Sequence, residues 1–262
     1  MKDRPSIPRT ILGVLLPIAI MFVISMAVYI VALALYPSIG ASYATADEFM
    51  LANDGYISCI ALFISVIVFY LMFRKDLHPK SREIIEKPIY FLPLVIVGCL
   101  ASQGLSILIS LLNIDNIIGS YENASTALFS GGPIIVIIRV VFLSAIVEEL
   151  VFRGLVFNKL RLCIGFWPSA LIASALFGVY HLNLAQGLYA FIFGLFLCVI
   201  YERFYNILAP IVVHAAANAF SVVIEYTGLE YPSVTVYVIV MILSLGVSCA
   251  IYFLFLREKK TN

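Results

Sequence analysis

The sequence predicts an all-α membrane protein with about eight transmembrane helices, and three observations support this fold class. The 262 residues are 63% hydrophobic and only 12% charged, whereas soluble domains carry about 25% charged residues. Apolar runs long enough to cross a hydrocarbon core recur along the whole chain. Outside these runs, lysine and arginine occur only in alternate connections and in the two tails. A soluble chain of this composition would expose large apolar patches and aggregate, so lipid is the expected solvent.

The predicted spans are apolar segments that reach or approach the roughly 17–25 residues needed to cross a bilayer. No internal repeat interrupts them and no connection is long enough for a soluble domain, so residues 1–262 are predicted to form a single polytopic membrane domain. The basic start of the chain resembles a signal peptide, but the first apolar run is too long for one and is expected to stay as a span. In chain order, the predicted spans are Ile11–Tyr36, Tyr56–Phe73, Tyr90–Leu112, Pro133–Phe157, Ile164–Leu182, Gln186–Tyr201, Ile207–Glu225 and Val234–Leu256.

The distribution of charge predicts the orientation of the spans. Lysine and arginine collect before the first span, between the second and third, after the fourth, after the sixth and at the C-terminus. By the positive-inside rule this side is cytoplasmic, so we expect a multi-pass protein of the cell membrane with both termini in the cytoplasm. The net charge of +1 argues against a nucleic-acid partner. The opposite connections lack lysine and arginine and contain Asp47, Glu48, Asp54, Asp115, Glu122 and Glu230.

Polar side chains interrupt three of the predicted spans, and such residues are expensive in lipid and usually functional. Each motif alone has a simpler interpretation: a glutamate–arginine pair can hold helices together, and a histidine can form an interhelical hydrogen bond. Their occurrence on three spans, with two of the three histidines of the chain, favours one shared site. The residues are Glu148, Glu149 and Arg153 in the fourth span, Phe177 and His181 in the fifth, and His214 and Asn218 in the seventh.

Helical spacing assigns different surroundings to the two glutamates. Residues four apart share a helix face, so Glu149 is expected to pair with Arg153. Glu148 is rotated by about 100° from Glu149 and faces elsewhere, without a cation of its own. A buried carboxylate of this kind can accept a proton near neutral pH, which suits a general base. Counting 1.5 Å per residue places Glu148 about 12–14 Å from the cytoplasmic boundary, in the cytoplasmic half of the bilayer.

At these residues the sequence resembles the CPBP family, which comprises CAAX proteases and bacteriocin-processing enzymes and is also called Abi. The family pattern is E-E-x-x-x-R, then F-x-x-x-H, then H-x-x-x-N on successive conserved helices, and all three motifs occur here in that order. The resemblance covers residues 133–225, the expected catalytic core. It implies an intramembrane endopeptidase with a catalytic cavity among the helices, and it implies the catalytic residues Glu148, Glu149, Arg153, His181, His214 and Asn218.

The resemblance also implies roles and partners. The first glutamate, Glu148, would activate water with help from His181, while His214 and Asn218 would form the oxyanion hole. The expected partners are the lipid bilayer and a peptide or protein substrate, with or without a lipid modification. Relatives cleave prenylated CAAX proteins or are associated with bacteriocin maturation, self-immunity or protein export. Nothing in the sequence chooses among these substrates.

Three alternatives stay open at the level of sequence. Glu148, His181 and His214 could supply the three protein ligands of a catalytic zinc. No pair of ligands on one helix, as in H-E-x-x-H, occurs, so we expect no cofactor. The same ionisable groups could form the relay of a proton- or ion-coupled transporter, although the paired halves common in transporters are not seen. The chain could also be a non-catalytic immunity or scaffold membrane protein that retains the site.

Overall fold

The computed structural model describes residues 6–40, 42–75, 81, 83–112 and 131–256, and within these ranges the secondary structure is helical, without strands. The predicted all-α membrane class is therefore confirmed. The predicted connection with Asp115 and Glu122 lies outside the described residues, as do the terminal basic residues Lys2, Arg4, Arg257, Lys259 and Lys260. The helices are α1 (Ile7–Ile39), α2 (Ala46–Phe73), α3 (Glu83–Glu86), α4 (Phe91–Leu111), α5 (residues 133–161), α6 (Phe166–Tyr180), α7 (Leu184–Phe204), α8 (Leu208–Thr227) and α9 (Val234–Ile251).

Six of the described helices are long and apolar enough to cross a membrane. The fourth and fifth predicted spans correspond to α5 and α6. Helix α5 is interrupted by charged residues, and α6 has only 15 residues, or about 22 Å. The chain is a multi-pass membrane protein, whereas the count of eight spans, the orientation of the termini and the boundaries 1–262 and 133–225 stay predictions.

Helix α5 changes its hydrogen-bonding pattern along its length. Its α-helical turns alternate with π-helical turns at Ile137–Ser144 and Leu150–Phe157. The short α-helical segment Ala145–Glu149, which carries both glutamates, lies between the two π-helical segments. π-Helical turns widen a helix and occur frequently at functional sites.

The predicted start of the second span at Tyr56 is wrong, because α2 begins at Ala46. The Thr45 hydroxyl accepts a hydrogen bond from the Glu48 backbone N–H, and the Glu48 carboxylate accepts one from the backbone N–H of Ala44. This reciprocal capping starts the helix in a polar stretch that hydropathy alone assigns to a loop. Asp54, predicted in an outer connection, consequently lies inside α2.

The two ends of the bundle differ in charge. At one end, here called the basic end, Arg161 pairs with Glu202 and Arg203 pairs with Glu83 at 2.7 Å. At the opposite end, here called the acidic end, the nearest described lysine or arginine is Arg139, inside α5 and paired with Asp54. The described residues at the basic end are Arg9, Arg74, Lys75, Lys87, Lys159, Arg161 and Arg203, and those at the acidic end include Asp47, Glu48, Glu225 and Glu230.

Two apolar clusters fill the bundle, mostly in its half nearer the basic end. One cluster surrounds the second half of α5 and includes Phe69, Phe157 and Tyr201. The other joins α4, α7, α8 and the end of α9 through residues such as Leu94 and Phe204. A third, smaller cluster packs α5 against α8 nearer the acidic end and consists of Val136, Val141 and Val222.

Candidate active site

A cavity of about 730 Å³ lies among α1, α2 and α4 to α8. Glu148, His181, His214 and Asn218 all line it. The side chains of Glu149 and Arg153 are fully buried, at 0% exposure, and lie behind the cavity wall. The structure thus brings the three predicted motifs to one place, in two layers.

Of the two adjacent glutamates, Glu148 is the one whose carboxylate lines the cavity. It is 6% exposed and accepts a hydrogen bond from the hydroxyl of Ser144, one helical turn earlier. Its other oxygen, Oε2, lies 3.7 Å from Nε2 of His214. Sequence reasoning missed Ser144, although its i–4 spacing from Glu148 was a usable signal.

Glu149 has two partners on one oxygen. Oε1 lies 2.6 Å from Nη1 of Arg153, as the spacing predicts, and 2.7 Å from Nδ1 of His214. The guanidinium of Arg153 also lies over the ring of Phe177, 4.6 Å from its centroid, in a cation–π contact. Glu149 therefore neutralises a buried cation and links α5 to α8.

His214 is held between the two glutamates. An ionised carboxylate only accepts hydrogen bonds, so Nδ1 of His214 carries the hydrogen that it donates to Glu149. Nε2 is left to face Glu148 and the cavity. It accepts a hydrogen bond in the neutral imidazole and donates one in the imidazolium.

His181 follows the last residue of α6. Its Nδ1 lies 2.9 Å from the carbonyl oxygen of Phe177, and because a carbonyl only accepts, Nδ1 is the donor. In the neutral ring, Nε2 then carries a lone pair that can accept a proton from water. The Phe177 ring packs edge-on against His181 and His214, with centroid distances of 4.9 and 6.0 Å.

Helix lengths explain how His181 and Glu148 reach the same cavity. Helix α5 continues past the predicted end at Phe157 to Arg161, so Glu148 lies 13 residues from the basic end of its helix, or about 20 Å. The expected depth of about 12–14 Å below the cytoplasmic boundary, counted from Phe157, stays a prediction. His181 follows the 15 residues of α6, a comparable length of about 22 Å.

Asn218 lies one turn after His214 on α8. Its amide nitrogen donates a hydrogen bond to the backbone carbonyl of Val140 at 2.8 Å, in the π-helical part of α5. An amide nitrogen carries two N–H groups, so one such bond leaves a second donor for a group in the cavity. This is the chemistry that stabilisation of an oxyanion requires.

A second polar cluster in the cavity wall was missed at the level of sequence. Arg139 is 5% exposed, and its Nη1 lies 3.0 Å from Oδ2 of Asp54 and 2.9 Å from the hydroxyl of Ser58. The Tyr29 hydroxyl donates to Asp54. The arginine inside an apolar run could have indicated this cluster, but its partner Asp54 was predicted to lie in a connection between spans.

The zinc alternative is not decided by these contacts. Among the described residues, no three His, Cys, Asp or Glu side chains are grouped closely enough to hold a metal ion. Both histidines nevertheless line the cavity and bond through Nδ1, which leaves Nε2 as the ring nitrogen that a metal ligand would use. The expectation of a metal-free site stays a prediction.

Comparison with known proteins identifies the part of the chain that holds this site. Residues 130–220 match the sequence model of a family described as "Type II CAAX prenyl endopeptidase Rce1-like". All the predicted site residues fall within that range. The chain is also 27% identical over 185 residues to the protein named "Putative membrane peptidase YdiL" of Bacillus subtilis (strain 168), covering 68% of this chain and 75% of that relative. No solved structure matched the chain.

Proposed function

We propose that this chain is an intramembrane endopeptidase in which Glu148 activates water. The premise is that residues 130–220 carry the Rce1-like region of the CPBP family. The family match confirms the resemblance expected from the three motifs. It supports a protease of the CAAX type, acting on a peptide or protein substrate in a lipid setting. The roles of individual residues are part of the proposal.

The observation that carries the proposal is the position of Glu148 in a cavity that also presents two histidines and an asparagine. A hydrolase needs a base for water, donors for the developing oxyanion and an acid for the leaving amine. The lining residues supply each of these groups. The buried Glu149–Arg153 pair adds a fixed anchor for His214.

The proposed reaction begins with water hydrogen-bonded between Glu148 and Nε2 of His181. Glu148 takes one proton as the water oxygen attacks the carbonyl carbon of the peptide bond. The C–O bond forms while the carbonyl π electrons move onto oxygen, giving a tetrahedral oxyanion. Asn218 and the imidazolium of His214 donate hydrogen bonds to this oxyanion. Glu148 then returns the proton to the amide nitrogen as the C–N bond breaks, so charge and protons balance.

Glu149 and Arg153 would act through His214 and would not touch the substrate. A carboxylate bonded to Nδ1 fixes the orientation of an imidazole and stabilises its protonated form, as the aspartate of a serine-protease triad does for its histidine. Arg153 holds the Glu149 carboxylate in position through their 2.6 Å contact. These two are therefore positioning residues in the proposed mechanism.

The proposed function is tested by comparing the N- and C-termini of membrane proteins in cells that express the wild-type chain with those in cells that express Glu148→Gln. Mass spectrometry should find new N- and C-termini of membrane proteins that depend on the wild-type chain and are absent with Glu148→Gln. Glu230→Gln makes the same chemical change at an exposed position outside the cavity and should retain all cleavages. Identical termini in all three samples would argue against a protease and favour the transporter or scaffold alternatives.

A further inference from the structure

The described residues that line the cavity include three tyrosines, whose hydroxyls differ in their partners. The Tyr29 hydroxyl donates to the carboxylate of Asp54, and the Tyr189 hydroxyl donates to Ser102. The Tyr180 hydroxyl has no hydrogen-bond partner among the described residues. A buried tyrosine hydroxyl usually has such a partner, so the hydroxyl of Tyr180 is available to a molecule in the cavity.

Three aromatic side chains hold the ring of Tyr180 at the cavity wall. The ring packs edge-on against Phe22 of α1 and against His181, with centroid distances of 5.4 and 5.5 Å. Phe152 of α5, which is 0% exposed, lies 5.7 Å away. A tyrosine side chain turns about only two torsions, and these contacts restrict both. The hydroxyl is therefore held in a defined position before a substrate binds.

Tyr180 lies beside the groups assigned to the reaction. It is the last residue of α6 and directly precedes His181. Its phenol is also close enough to Glu148 for an electrostatic interaction with the carboxylate. Water activated between Glu148 and His181 would consequently attack a carbonyl group next to Tyr180.

Packing alone does not account for a tyrosine at this position. Phenylalanine would make the same ring contacts with Phe22, Phe152 and His181. A hydroxyl that leaves water without a hydrogen bond costs free energy, and polar groups of this kind call for a specific explanation, such as catalysis. A hydrogen bond to the reacting substrate provides one.

We propose that Tyr180 is a further catalytic residue, whose hydroxyl donates a hydrogen bond to the oxyanion of the tetrahedral intermediate. The inference rests on the proposed function and adds a third donor to Asn218 and His214. A neutral phenol donates one hydrogen bond, and this bond is stronger to an oxyanion than to the uncharged carbonyl of the substrate. It therefore stabilises the transition state more than the bound substrate, which is the condition for a faster reaction.

Tyr180→Phe tests the proposal, because it removes the hydroxyl and keeps the ring with its aromatic contacts. The substrate is a peptide that spans a cleavage site found by the comparison of termini, presented to the protein in proteoliposomes. The kcat should fall about 100-fold, the lower end of the range for loss of one oxyanion donor. The KM should change little, since the uncharged carbonyl of the bound substrate gains less from this bond.

The Tm of Tyr180→Phe should equal that of the wild type, because no hydrogen bond between described residues is lost. Tyr70→Phe is the matched control. It makes the same chemical change on α2, at a position that is 61% exposed and does not line the cavity. It should keep the wild-type kcat, KM and Tm.

An analogue of the intermediate gives a second readout that packing would not move. The probe is the same peptide with a phosphinate group, which is tetrahedral and anionic, in place of the scissile amide. Analogues of a transition state gain from the contacts that speed the reaction, so Tyr180→Phe should weaken binding of the phosphinate peptide by about the factor lost from kcat. Tyr70→Phe should bind it like the wild type.

Three results would overturn the proposal. An unchanged kcat in Tyr180→Phe would show that the hydroxyl takes no part in the reaction. A lower kcat that comes with a lower Tm would indicate a structural role. A lower kcat with unchanged affinity for the phosphinate peptide would show that the hydroxyl does not contact the oxyanion.

The two proposals fail in different ways. A wild-type chain that neither cleaves the peptide nor binds the phosphinate peptide contradicts the proposed function, and the role of Tyr180 fails with it. Cleavage by the wild type, its loss in Glu148→Gln and its full retention in Tyr180→Phe would contradict the role of Tyr180 alone.

Discussion

Nδ1 of His214 lies 2.7 Å from Oε1 of Glu149, and this contact joins α8 to the carboxylate that Arg153 neutralises on α5. The bond turns Nε2 of His214 towards Glu148, 3.7 Å from its Oε2. The two adjacent glutamates therefore differ in surroundings although they are neighbours in sequence. One is locked in a buried pair, and the other lines the cavity.

Removing the Glu149 carboxylate should destabilise the fold. Glu149→Ala leaves the guanidinium of Arg153, which is 0% exposed, without its ion-pair partner. Breaking such a buried pair costs ~3–5 kcal/mol. Thermal melting in detergent should show a clearly lower Tm than that of the wild type. Glu230→Ala, at an exposed position, is the control and should melt like the wild type; an unchanged Tm for Glu149→Ala would refute the structural role of the pair.

A methyl group at position 194 should disturb Arg153. A Cβ on Gly194 would lie 2.9 Å from Nη2 of Arg153 and 3.1 Å from Cβ of Ser174. Gly194→Ala should therefore displace the guanidinium, cost about 1–3 kcal/mol and reduce turnover. Gly246→Ala on α9 meets nothing within 4 Å and should be neutral or stabilising, because alanine is the better helix former. Equal Tm shifts for the two variants would contradict the close approach of α7 to Arg153.

Acid should weaken the basic end through Glu83. Hydrogen bonding from Arg203 lowers the pKa of Glu83 from 4.5 to about 2. The unfolded carboxyl titrates near its ordinary value, so the pair stabilises the fold fully above that pH, and this contribution is lost as pH falls towards 2. Glu83→Gln should reduce stability by about 1 kcal/mol at neutral pH.

A pH series of melting temperatures checks this expectation. The difference between wild type and Glu83→Gln should shrink as pH falls below 4.5. Glu86→Gln, on the same short helix, is the matched control. A gap that is constant across the series, or that widens in acid, would show that Glu83 does not stabilise the fold as a carboxylate.

Chelation should leave activity intact. The proposed mechanism takes its base and its donors from side chains alone, so prolonged treatment with a chelator should not slow cleavage. Elemental analysis of the purified protein should show no stoichiometric zinc. Loss of activity with a chelator and its recovery with zinc would make Glu148, His181 and His214 ligand candidates.

Local spacing predicted the Glu149–Arg153 pair because the two residues lie one helical turn apart. Composition predicted the membrane class because it does not depend on how the helices pack. The Glu149–His214 contact was not predicted, since residues on α5 and α8 meet only through tertiary packing. The bond from Asn218 to the carbonyl of Val140 also joins α8 to α5 and depends on the same packing.

Two other misses have local causes. The predicted start of α2 was too late because hydropathy does not detect helix capping by Thr45 and Glu48. Asp54 was therefore assigned to a connection, and its ion pair with Arg139 was not predicted. Helix α5 was predicted to end at Phe157, whereas it continues to Arg161. Its last turn is polar and carries Lys159 and Arg161, so an apolar run cannot reveal it.

Turnover and stability of Glu148→Gln, measured on the same preparation, test the central claim most directly. Glutamine keeps the shape of the side chain but cannot accept the proton of water, so cleavage of a peptide substrate in proteoliposomes should fall ~100-fold or more. The Tm should equal or exceed that of the wild type, because Glu148 is 6% exposed and its nearest described cationic partner, His214, keeps its closer contact with Glu149. If Glu148→Gln cleaves at the wild-type rate while Glu149→Gln is inactive and equally stable, the roles of the two glutamates are the reverse of those proposed.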